Sequence, residues 1–245
     1  MAVEKRYAEL FCFDYPNRDA NGNIMVDENG NTLYFRTIRN FYFFGEVFNP
    51  IGYSAWPYKN NVPSIAMNRC MVGRDDVFVF IGHGAPGAIA FYNDEGEVRG
   101  VIAVRDLEHL YVGIDNAAIS SISSNGLALA RIIFYLGCET GVPFNPAGTN
   151  FSYNLVDETF EKGAHFVLGC TEILYNTHTD EWLEYFLDLI DNGFSVGAAI
   201  DGAKTALGRI EVRYDNAFGE EEVFPYEEIP LYCRGDQSQY LNMPS

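Results

Sequence analysis

The chain has 245 residues, 48% of them hydrophobic and 20% charged, which is enough to bury a sizeable core and too apolar for a disordered chain. Thirty-four acidic residues against sixteen basic ones leave a formal charge of −18. That field repels phosphate backbones, so it argues against nucleic acid as a partner; it draws in basic peptides, and in itself it serves solubility.

The longest apolar runs, such as RIIFYLGC, fall short of the ~18 residues a membrane helix needs. MAVEKRYAEL lacks the apolar core and small-residue cleavage site of a signal peptide. Five cysteines, an odd number with no CxxC pair, argue against a disulfide framework or a zinc site and for reduced thiols in the cytoplasm. A single domain over 1–245 is expected, with a strand and hairpin region in 1–61, a core in 62–237, and no cofactor or metal.

In chain order, Tyr7 to Tyr15 reads as a first strand closed by Pro16. Two Asn-Gly pairs follow, bracketing short β-prone runs, which is a hairpin signal. The spacing Asp19, Asn21, Asn23, Asp27 is that of a calcium loop, but its glycine is misplaced and no acidic residue closes it, so the hairpin is preferred. Phe41 to Trp56 is aromatic and ambiguous, and Val62 to Met71 predicts a short helix. Asp75 and Asp76 lead into the strand VFVFIGHG. A second hairpin turns at Asp94 to Gly96, and a loop or helix region runs from Leu107 to Leu129.

Ala130 to Cys138 predicts another continuous apolar strand, Phe151 to Lys162 a helix ended by Gly163, and Ala164 to Cys170 a strand. Thr177 and Asp180 look like a capping start for a helix carrying Trp182, Phe186, Leu189 and Ile190. Ser195 caps a further helix through Ala206, and a last strand lies near Ile229 to Cys233. Strands apolar throughout, alternating with amphipathic helices, predict an α/β fold with a mostly parallel sheet covered on both faces and hairpins inserted at its edges.

In such sheets ligands bind beyond the carboxyl ends of the strands. If VFVFIGHG and RIIFYLGC are neighbours, His83 and Cys138 emerge at one rim. A cysteine nucleophile needs a group that takes its proton and later protonates the leaving amine, and imidazole does both near neutral pH. The N–H groups of Gly84 and Cys138 are the natural donors to an oxyanion. Taken singly, His83 reads as well as a turn histidine held by backbone carbonyls, and Cys138 as a buried cysteine like Cys170. Order and spacing raise the pair: histidine first, cysteine 55 residues later, each ending an apolar strand, as in caspase-type enzymes and unlike papain-like ones. His109 and His178 read as surface and capping-region residues, His165 as a buried neighbour.

The motifs DDVFVFIGHG, ARIIFYLGCETG and FEKGAHFVLGC, then a helix ending DNGFSVGAAIDGAKTA, together resemble the caspase-like cysteine peptidases, nearest to the CHAT-type and gingipain-type branches. The Cys-Glu-Ser/Thr-Gly motif of CHAT-type domains is here Cys138, Glu139, Thr140, Gly141, and LYCRGDQ is similar to the closing strand of gingipain-like domains. The resemblance implies a caspase-like three-layer sandwich, a dyad of His83 and Cys138, and peptide hydrolysis through an acyl-enzyme, often under an activating partner. It also shows departures. Leu136 stands where basic-specific relatives carry aspartate, and Glu172 or Asp180 are the alternative floor of a substrate pocket, though solvation or helix capping accounts for both. Two other readings stay open: a catalytically silent interaction module on the same fold, and a thiol hydrolase of small amides or esters.

Overall fold

The computed structural model describes residues 5–19, 21–37, 42–72, 75–106, 115–146, 150–172, 176–207, 212–215, 221–224 and 230–241. The central sheet has six strands: β1 (Arg6–Cys12), β4 (Tyr53–Lys59), β5 (Val77–Ile81), β10 (Ile132–Leu136), β11 (Phe166–Cys170) and β14 (Leu231–Gly235). Their order is β14-β11-β10-β5-β1-β4, every neighbouring pair parallel except β11 with β14.

The strands are apolar throughout because both faces are covered, and successive residues go to opposite sides. Val77, Val79, Ile81, Ile132, Phe134 and Leu136 belong to one core, against α1 (Phe43–Phe48), α4 (Asn176–Asp191) and α5 (Val196–Leu207). Phe78, Phe80, Ile133 and Tyr135 belong to the other. There they meet Met67 and Met71 of a helical segment in which α2 (Pro63–Ile65) runs into a π-helical turn over Ala66–Met71. Leu155 and Val156 of α3 (Leu155–Glu161) join the same core.

The second hairpin is not at an edge as the sequence suggested. β6 (Gly84–Ala85), β7 (Ala88–Tyr92), β8 (Val98–Ala103) and β9 (Asp115–Ala118) form a four-stranded sheet of their own. Ile89, Phe91 and Ile102 bury it on the face of the central sheet beside Phe78 and Phe80. Apolar alternation on the hairpin called for a face to pack on, and this is the one it takes.

Other expectations also needed correction. The first strand divides at Phe13: β1 stays in the central sheet, while β2 (Asp14–Pro16) leaves it to pair antiparallel with β3 (Tyr34–Arg36). The Asn-Gly segment between β2 and β3 turns back twice, with backbone N–H groups of Asn21 and Asn23 donating to Asp19 Oδ1 and those of Asn29 and Asn31 to Asp27 Oδ1. These turns consume the carboxylates that a calcium loop would present. The ambiguous Phe41 to Trp56 stretch resolves into α1 and the start of β4.

Within the expected loop or helix region, 107–114 lies outside the described residues and 115–118 is the strand β9, parallel to β8. Helix α3 starts at Leu155 rather than Phe151, because Asn154 caps it: its side chain accepts from the N–H groups of Val156 and Asp157. Thr177 and Asp180 lie inside α4, not before it. Ser195 does cap α5, its Oγ accepting the Ala198 N–H at 3.3 Å. A further hairpin, β12 (Val212–Asp215) with β13 (Glu221–Phe224), had no sequence-level expectation. Among the described residues no helix is long and apolar enough to cross a membrane.

Candidate active site

β5 and β10 are adjacent, with Ile81 paired to Leu136 and the Gly82 N–H donating to the Leu136 carbonyl at 3.1 Å. His83 and Cys138 each stand two residues past that last pair, so the parallel register delivers both to one rim. The loops that carry them are in contact. A Cβ added to Gly84 would lie 2.5 Å from Thr140 Cγ2 and 2.7 Å from the Cys138 carbonyl oxygen, and one on Gly137 would lie 2.9 Å from the Gly82 carbonyl oxygen. Side chains at either position would force the two loops apart, so the glycines are what allow this approach.

The Gly84 amide lies at the junction of the two loops. The Ala90 N–H of β7 donates to the carbonyl of His83, just before β6, at 3.0 Å, and Gly84 pairs with Ile89. Gly84, the next residue, is then at a non-hydrogen-bonded position, and its N–H points out of that ladder. A Cβ on Gly137 would lie 3.0 Å from this nitrogen, so the Gly84 amide packs directly against Gly137.

The turn after the cysteine is built with some strain. Glu139 has φ +55°, a left-handed conformation that costs a residue with a Cβ ~1–2 kcal/mol. Hydrogen bonds to the neighbouring strand end hold it. The Glu139 N–H donates to the Glu172 carbonyl at 3.0 Å and the Gly141 N–H to the Cys170 carbonyl at 2.7 Å. Buried Thr140 donates through Oγ1 to the Tyr135 carbonyl at 2.6 Å and accepts the Cys170 N–H at 3.0 Å. Asn154, besides capping α3, donates to the Gly141 carbonyl at 2.7 Å.

This frame leaves Cys138 half-exposed, whereas Cys12 and Cys170 are buried. Burial pushes the thiols of Cys12 and Cys170 far above the ordinary range, so both stay protonated. His83 is also half-buried, and desolvation lowers its pKa from the ordinary histidine value, favouring the neutral imidazole. Its Nε2 lies 2.7 Å from the Tyr15 hydroxyl, and its ring is 4.9 Å from that of Tyr92.

The three pocket candidates separate. Glu172 is exposed just beyond β11, and its carbonyl touches the Cys138 turn. Leu136 is 1% exposed and lies in the helix-side core, and Asp180 is 2% exposed, close enough to Cys12 to raise its pKa. His165, expected to be buried, is exposed, because it precedes the first residue of β11. His109 lies outside the described residues, and His178 is on α4. Tyr15 and Tyr92 were not singled out from sequence. Neither sits in a motif, and each reaches the rim only through its own strand.

No protein-family model matches the chain, and no curated protein sequence matches it significantly. Solved structures do. Caspase-1 from Spodoptera frugiperda is similar with a TM-score of 0.53 at 10% identity, over 96% of this chain and 90% of that one. The Arg-specific cysteine proteinase gingipain R aligns with a TM-score of 0.48 at 13% identity, over 96% of this chain and 49% of that one. The mostly parallel sheet with both faces covered is thus a caspase-like fold.

Proposed function

We propose that the protein is a cysteine endopeptidase with Cys138 as nucleophile and His83 as general acid and base. Cys138 Sγ bonds to the scissile carbonyl carbon while its proton passes to the His83 imidazole. The N–H groups of Gly84 and Cys138 donate to the oxyanion, each such donor typically lowering the barrier by ~3 kcal/mol. Collapse breaks the C–N bond, and the leaving amine takes the proton from His83. A water then gives its proton to the same imidazole and attacks the thioester, releasing the carboxylic acid and restoring the thiol.

The observation that carries this reading is the contact between the His83 and Cys138 loops, with the Gly84 amide nitrogen packed against Gly137. The likeness to caspase-1 supports it at the level of fold. The Cys138-Glu139-Thr140-Gly141 motif is what favours a CHAT-type or gingipain-type relative. Substrate would be a peptide or protein segment, and exposed Glu172 is a candidate to contact its side chains.

A positional-scanning library of fluorogenic peptides tests the proposal. Cys138→Ala and His83→Ala should each abolish hydrolysis, and Cys170→Ala should retain it; a peptide ketone should label Cys138. Equal turnover by Cys138→Ala sinks the nucleophile assignment. A wild-type protein that neither cleaves nor labels leaves the silent interaction module as the better account.

A further inference from the structure

Tyr15 belongs to β2, outside the sheet that carries His83, yet its hydroxyl is 2.7 Å from His83 Nε2. We propose that Tyr15 is the positioning residue for His83: its oxygen accepts the Nε2–H and leaves Nδ1 as the nitrogen that exchanges protons at the rim. The role in catalysis rests on the peptidase reading above, but the hold on the imidazole does not.

A neutral imidazole has one N–H and one lone pair, and an imidazolium has two N–H groups. If Tyr15 donated to Nε2, that bond would have to break or reverse whenever the ring was protonated. An oxygen that accepts Nε2–H serves both charge states without rearrangement, and it puts the lone pair of the neutral form on Nδ1. A neutral phenol can accept as well as donate. Burial and the nearby Tyr92 raise its pKa well above the ordinary tyrosine value, so it remains a neutral hydroxyl and not a phenolate counter-ion.

Packing fixes where that oxygen sits. Tyr15 is 8% exposed, and its ring stacks on Tyr92 with centroids 5.3 Å apart. From the other hairpin, Gly96 presses so close that a Cβ there would lie 2.7 Å from Tyr15 Cδ2. Tyr92 in turn places its ring 4.9 Å from His83. The titratable groups against His83 thus come from separate elements, Tyr15 from β2 and Tyr92 from β7, while Cys138 belongs to the loop after β10 that packs on the His83 loop. β2 leaves the central sheet at Phe13, and that departure is what swings Tyr15 to the histidine.

The test reads His83 itself, by long-range proton–nitrogen NMR of the imidazole across pH, with His83→Gln to assign the resonance. The wild type should show the Nε2–H tautomer at high pH. In Tyr15→Phe, which keeps the ring and removes the oxygen, the titration should move to lower pH, because the charged form loses its acceptor, and the tautomers should mix. On a peptide reporter kcat should fall about tenfold with KM little changed, the scale of a lost hydrogen bond to a charged group. An Nδ1–H tautomer in the wild type, or an unchanged titration in Tyr15→Phe, overturns the proposal. If Tyr15→Phe fails to fold, the wild-type tautomer alone decides. The spectra need no turnover, so an inert Cys138 would refute the peptidase reading without touching this one.

Discussion

Thr140 does more for the Cys138 turn than its size suggests. One hydroxyl satisfies the Tyr135 carbonyl and the Cys170 N–H, both inside the molecule. Thr140→Val keeps the shape, orphans the Cys170 N–H and leaves the Tyr135 carbonyl only the Cys170 thiol at 3.9 Å, so stability to urea should drop by ~1–3 kcal/mol, the penalty for buried groups left unpaired. Thr140→Ser should recover most of it, and equal midpoints for valine and wild type would contradict this role. The threonine was visible in the sequence as part of a motif; its task was not. The carbonyl that this hydroxyl meets is five residues back, but the N–H that it accepts belongs to a strand end 30 residues on. The same limit hid Tyr15, 68 residues from its histidine.

Among the elements, β8 and β9 show how one residue can license a pairing. Gly100 faces Asp115 across a parallel register, and a Cβ on Gly100 would overlap the Asp115 carbonyl oxygen and crowd the Pro63 ring. Gly100→Ala should therefore open the β8–β9 edge. Hydrogen exchange would report it as faster amide exchange in residues 115–118, with β5 and β10 still protected. Uniform protection would show that the backbone absorbs the methyl group.

Strands that are apolar on both sides were legible because burial on two faces leaves no polar alternation to blur them. β9 was not. Its DNAA sequence has no β signature, and it is a strand only because β8 offers it an edge. The start of α4 misled for the opposite reason: Thr177 and Asp180 have capping chemistry, but the helix begins before them and buries Asp180.

Over the whole molecule, a formal charge of −18 makes a net field that attracts cationic peptides. If the chain cleaves peptides, those carrying extra lysine or arginine outside the scissile pair should show higher kcat/KM at low salt. That advantage should shrink several-fold between about 20 and 300 mM salt as the screening length falls from ~20 Å to below 10 Å. An advantage indifferent to salt would mean that local contacts, not the field, select the substrate.

The α/β class, the parallel sheet, and the arrival of His83 and Cys138 at strand ends were determined by the sequence alone, because hydrophobic period and strand-end placement are local properties of the chain. Only the tertiary structure decided which strands are neighbours, that the second hairpin covers a face, that Leu136 and Asp180 are buried while Glu172 is not, and that a tyrosine from a third element holds the histidine. Those are contacts between segments distant in the chain. They are set by which apolar faces can be buried together, and no short window of residues encodes that.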